Sequence, residues 1–157
     1  MGCSSQPEVN TKQQPQQQNA NNQQEQLDQE IEKYISDNKN AVMIIGNEDD
    51  TFIQNTNTMA TMVRTTYSQK NKMNQMEKTT FNQMKNMAIQ QVNQYKTNKV
   101  QSRNLLIQSF QNMLNKVGPN SRLGKEVSNF IQELNNQNKK LNQFCEGLVN
   151  EYQKMVV

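Results

Sequence analysis

The sequence predicts an all-α protein: a disordered, Asn/Gln-rich N-terminal tail followed by a long helical hairpin, closed either as a coiled coil or as a three-helix bundle. Three observations predict it. Between Phe52 and Val117 there is neither Pro nor Gly, and apolar residues recur there at three- and four-residue steps. Gly118-Pro119 then supplies a stop. Beyond it, apolar side chains follow strictly alternating steps of three and four.

Composition limits what such a fold can be. Only 32% of the 157 residues are hydrophobic and the mean hydropathy is −1.02, too polar for a large globular core. Asn and Gln supply about a third of the chain, while His and Trp are absent. The net charge of +3 is unevenly divided: residues 1–51 hold three basic and nine acidic side chains, and residues 52–157 hold fourteen and five. A basic body of this kind is attracted to an anionic surface, either acidic headgroups or an acidic protein. No stretch approaches the length of apolar sequence that spans a bilayer, and no secretory h-region is present.

The chain opens Met1-Gly2-Cys3-Ser4-Ser5-Gln6. Gly2 followed by small residues is the pattern for N-myristoylation, from which Gln6 departs where Ser or Thr is preferred. One myristoyl chain binds a membrane only marginally, so Cys3 is expected to carry the second anchor, an S-palmitoyl group. This start resembles the dually acylated N-termini of Src-family kinases, G-protein α subunits and the membrane-anchor subunit of the lysosomal Ragulator scaffold. The resemblance covers six residues and implies an address rather than a family: the cytoplasmic face of a plasma, endolysosomal or ciliary membrane, or the cytoplasm where acylation is absent.

Residues 7–27 are nearly devoid of apolar side chains and read as a disordered linker, since ordering them costs entropy with little burial to offset it. Residues 28–50 read as a short helix and an apolar docking segment: Leu27, Ile31, Tyr34 and Ile35 fall at helical spacing, and 41–46 is the most apolar run of the chain. That run suits either core packing or docking on another subunit. Residues 47–51 offer oxygens and negative charge to start the next helix. The body, 51–157, is then a helical hairpin with its turn at 118–121.

Within the first long helix, 68–72 and 96–103 are the least apolar stretches and the candidate places for a break. Left unbroken, it outruns the second helix, leaving Met59, Met62, Met73, Met76, Met84 and Met87 either to meet a partner or to be covered by a fold-back. Flexible thioethers suit an adaptable protein-binding surface. In the second helix the seam runs Val127, Phe130, Leu134, Gln137, Leu141, Phe144, Leu148, Glu151 and Met155, with Tyr152 beside Glu151 able to rotate inward. Gln137 is the polar exception that can fix register. A central Gln is also similar to that of SNARE helices, whose motif spans about twice as many layers.

No catalytic constellation is recognisable, so a non-enzymatic role is expected, without cofactor, metal or small-molecule substrate. Cys145, beside Phe144 and near Leu148, reads as a buried, inert thiol. Arg64, Lys70, Lys72, Lys78, Lys85, Lys96, Lys99 and Arg103 form a basic series that does not share one helical face, which argues against nucleic acid and allows weak binding to acidic lipids. The expected role is a membrane-anchored scaffold presenting a helical coiled-coil surface to a protein partner or to another copy. The alternatives are a cytoskeletal or ciliary structural coiled coil and a vesicle-tethering, SNARE-like component.

Overall fold

Three helices follow one another in the computed structural model, which describes residues 2–5 and 14–157. Helix α1 spans Gln14–Ser68, α2 spans Gln75–Val117 and α3 spans Arg122–Lys154, with a 3-10 turn at Lys70–Lys72 between the first two. Among the described residues there is no strand. The chain runs up, down and up. Tyr34 meets Phe110, Phe52 stacks on Tyr95 and Tyr67 on Phe81, so α1 and α2 are antiparallel. Phe110 stacks on Phe130 and Lys85 reaches the Met155 carbonyl, so α2 and α3 are antiparallel too. Glu32–Arg122, Asp50–Lys140 and Arg64–Glu151 pair at sequence separations of 90, 90 and 87, the nearly constant offset of parallel helices.

The continuous first long helix is therefore replaced by a fold-back, within the weak stretch 68–72 and its C-terminal neighbours. Ser68 to Lys72 offers little apolar surface to bury, and a restart is written just after it. Asn74 caps α2 by accepting from the Glu77 N–H at 2.9 Å, while the Asn74 N–H donates to Glu77 Oε2 at 2.7 Å. Residues 47–51, read as a helix start, lie inside α1 instead. The second candidate break, 96–103, is continuous helix.

Residues 118–121 form the turn between α2 and α3. Gly118 takes φ 80°, and its N–H donates to the Leu114 carbonyl at 2.8 Å. Ser121 then caps α3, accepting from the Gly124 N–H at 2.9 Å. The turn is tight enough that a Cβ on Gly124 would lie 1.9 Å from the Gly118 carbonyl oxygen.

Two N-terminal assignments change. Of the linker 7–27, residues 7–13 lie outside the described residues, but from Gln14 onward the chain is helix rather than coil. Pro15 falls in the first turn, where its missing N–H costs nothing. Residues 16–26 are exposed throughout, so no core holds them. They extend a helix nucleated by the packed residues below, and Gln propagates a helix well. The short helix and docking segment of 28–50 are likewise one uninterrupted part of α1. Val42 is core at 4% exposure, whereas Met43 and Ile44 face outward.

The core forms two apolar clusters at different levels. One, nearer the 118–121 turn, holds Ile31, Ile35, Val42, Ile107, Phe110, Leu123, Val127 and Leu134. The other holds Ala60, Val63, Phe81, Val92, Leu141, Cys145, Leu148, Tyr152 and Met155. Of the expected a/d positions, Val127, Leu134, Leu141, Leu148 and Met155 are buried. Phe130, Gln137 and Phe144 are only half-buried, and Asn138, Cys145 and Tyr152 are buried in addition. Two neighbours cause this broadening. Gln137 and Phe144 turn to α1, at Val42 and Phe52, while Asn138 turns to α2. A helix touching two others buries a broader stripe than a two-helix seam.

Candidate functional site

Between the two apolar clusters lies a polar layer built from one buried residue of each helix: Asp49 of α1, Arg103 of α2 and Asn138 of α3. The Arg103 guanidinium is fully buried and forms an ion pair with Asp49 through Nη2. Its Nη1 donates to Asn138 Oδ1 at 3.1 Å. Asn138 Nδ2 donates onward to Asn104 Oδ1 at 3.0 Å, and the Tyr95 hydroxyl donates to Asp49 Oδ1 at 3.0 Å. Burial, then the hydrogen bond to Asp49, drives the Tyr95 phenol far above its ordinary pKa. Such a layer fixes register, because sliding any helix by a turn would set a buried charge against apolar side chains. It was missed in the sequence, where Asp49 reads as a helix-start charge and Arg103 as one of a basic series.

Gln137, the polar exception in the seam, is half-buried on α3 and reaches across to α1. Its Nε2 donates to the Val42 carbonyl of α1 at 3.2 Å. Gly46 permits that approach, since a Cβ there would lie 2.8 Å from the same nitrogen. Cys145 is fully buried, and desolvation raises its thiol pKa to about 11. A thiol so placed yields little thiolate at neutral pH. No group of three or more metal-ligating side chains occurs among the described residues.

The six methionines divide into two groups. Met59, Met62, Met76 and Met87 are 52–75% exposed, whereas Met73 and Met84 are half-buried against the Phe81 cluster. The Phe52–Tyr95 and Tyr67–Phe81 stacks set Met59 and Met62 level with Met84 and Met87. An open cleft of about 700 Å³ between the end of α1 and the start of α2 is lined by Met73, Met76, Met84 and Phe81, with Thr66 and Lys72 at its edge. Arg64–Glu151 and Lys85–Met155 mark where α3 ends, so residues 65–84 extend past the helix as a two-helix tip, with Met155 and Val157 packed in the same cluster as Tyr67 and Phe81 at its base.

At the other end, Gly2 and Cys3 are exposed and lie in no regular element. Among the described residues no helix is long and apolar enough to cross a membrane. No protein-family model, curated protein or solved structure matches this chain.

Proposed function

We propose that this chain is a non-catalytic helical scaffold, attached to the cytoplasmic face of a membrane through myristoyl-Gly2 and palmitoyl-Cys3, that offers its α1–α2 face to a protein partner. The observation that carries the reading is the methionine surface. Met59, Met62, Met76 and Met87 stand in solvent on a bundle that already has a core to receive apolar side chains. Flexible, polarizable side chains exposed together suit contact with a partner that is not always the same shape. The exposure of Gly2 and Cys3, outside any helix, leaves both accessible to acyltransferases.

Two measurements test the two halves of this function. Metabolic labelling with an alkyne myristate should mark the wild-type chain and not Gly2→Ala, and an alkyne palmitate should mark the wild type and not Cys3→Ser. Labelling of Gly2→Ala at the wild-type level refutes the anchor. For the binding face, Met59→Glu/Met62→Glu should abolish a stoichiometric complex recovered from detergent extracts while leaving the circular dichroism melt unchanged. Retention of that complex by the double variant refutes the face.

A further inference from the structure

The basic side chains of α1 and α2 are not equally engaged. Arg64, Lys96, Lys99 and Arg103 are spent on Glu151, Glu146, Glu48 and Asp49. Lys85 donates to the Met155 carbonyl at 2.6 Å. Lys70, Lys72 and Lys78 enter no ion pair among the described residues. All three lie in the overhanging tip, with Lys70 and Lys72 on the 3-10 turn at its apex. Lys70 is steadied there by the Tyr67 hydroxyl at 2.9 Å. The sole acidic residue of residues 65–84 is Glu77, whose carboxylate is occupied by the Asn74 N–H. Met76, at 75% exposure, stands one turn from the apex.

We propose that this apex is a membrane contact in its own right, binding anionic phospholipid headgroups through Lys70, Lys72 and Lys78 while Met76 enters the interfacial layer. Charge selects the lipid surface over an acidic helix laid in the cleft. Within the cleft Lys72 stands against Glu77, which leaves a groove-filling helix no net attraction. A planar anionic surface meeting the end of the bundle meets Lys70 and Lys72 at the apex, with Lys78 in the first turn of α2. Clustered lysines beside exposed apolar side chains are the general form of interfacial binding. With α1 55 residues long, the apex stands about 80 Å along the helix from Gln14. An N-terminus acylated as proposed above therefore anchors one end of a rod and the lysines engage lipid at the other, in the same membrane or across to a second.

The test uses the full chain carrying Gly2→Ala and Cys3→Ser, so that no acyl chain contributes and a failure here leaves the labelling result untouched. It is floated with vesicles of phosphatidylcholine alone or with about a third phosphatidylserine. Binding is expected only on the anionic vesicles and should fall as salt screens it. Each near-surface lysine contributes about fivefold, so K70Q/K72Q/K78Q should lower partitioning by about 100-fold and K72Q alone by about fivefold. K116Q/K125Q/K139Q, away from the tip, should change it by less than about threefold. Equal binding to both vesicle types overturns the proposal, as does an equal loss in the two triple variants. So does a change in oligomeric mass on light scattering for K70Q/K72Q/K78Q with vesicle binding intact, which would mark the tip as a protein contact. Among the described residues Lys72 makes no side-chain hydrogen bond or ion pair, so K72Q decides the matter even if the triple variant folds poorly.

Discussion

Replacing Asp49 by Leu should be among the most damaging single changes available to this bundle. The substitution leaves the Arg103 guanidinium where its side chain has no exposed surface, with Asn138 as its remaining partner. Its Nε already lacks a protein acceptor among the described residues, so Nη2 becomes a second unpaired donor. The Tyr95 hydroxyl loses its acceptor in the same step. Breaking a buried ion pair from one side costs about 3–5 kcal/mol, against about 0.3–0.5 kcal/mol for an exposed helical pair such as Lys33–Asp37. For a chain of this size that lowers Tm by about 10–15 °C. Arg103→Met should cost a similar amount by leaving the Asp49 carboxylate buried. The double variant Asp49→Leu/Arg103→Met should cost far less than the two combined, because it removes both desolvated charges and joins the two apolar clusters into one. Urea titrations of the four proteins, analysed as a double-mutant cycle at constant m-value, measure the coupling. Additivity to within about 0.5 kcal/mol would refute the claim that Asp49 and Arg103 form one buried unit.

Three further outcomes follow from local geometry. Gly124→Ala should destabilise by about 1–3 kcal/mol, since its Cβ meets the Gly118 carbonyl oxygen, whereas Gly46→Ala should be neutral or stabilising by up to about 1 kcal/mol, because its Cβ meets only the movable end of Gln137 and Ala favours helix; the reverse order in thermal melts would overturn both assignments. Asn74→Ala should cost about 1 kcal/mol by removing the capping box of α2, read as a lower urea midpoint that Asn74→Ser largely restores. Alkaline pH should unfold the bundle: the pKa values of Cys145, Tyr95 and Tyr152 are raised in the folded state by burial, so the unfolded chain releases these protons first and stability falls as pH rises from about 9. A urea midpoint unchanged between pH 8 and pH 11 would contradict that linkage.

The fold class was legible because helix punctuation is written in residues with few alternative uses. Gly118, Pro119 and Ser121 marked the second turn, and the spacing of Leu134, Leu141 and Leu148 marked the buried stripe of α3. The break before α2 was harder to read, since no Pro or Gly occurs there. Its signal was Asn74 with Glu77 three residues later, easily lost in a chain where Asn is common. The polar layer was harder still. Hydrophobic periodicity treats every charge as solvent-facing, so Asp49 and Arg103 register as gaps in their stripes even though they are among the most buried side chains in the molecule.

Periodicity is equally blind to the candidate surface. A methionine count cannot separate Met73 and Met84, which the core half-covers, from Met59, Met62, Met76 and Met87, which it does not. Nor can a lysine count separate those that bind a carboxylate from those that are free. Folding sorts the methionines by helical phase: Met59 and Met62 fall on the side of α1 away from Arg64, and Met76 and Met87 on the side of α2 away from Lys85, the two residues that reach α3. Replacing Met76 and Met87 together by Glu should therefore leave the melting temperature unchanged and weaken any partner that uses this face. If the double variant folds and the partner still binds with wild-type affinity, the functional surface lies elsewhere on the bundle.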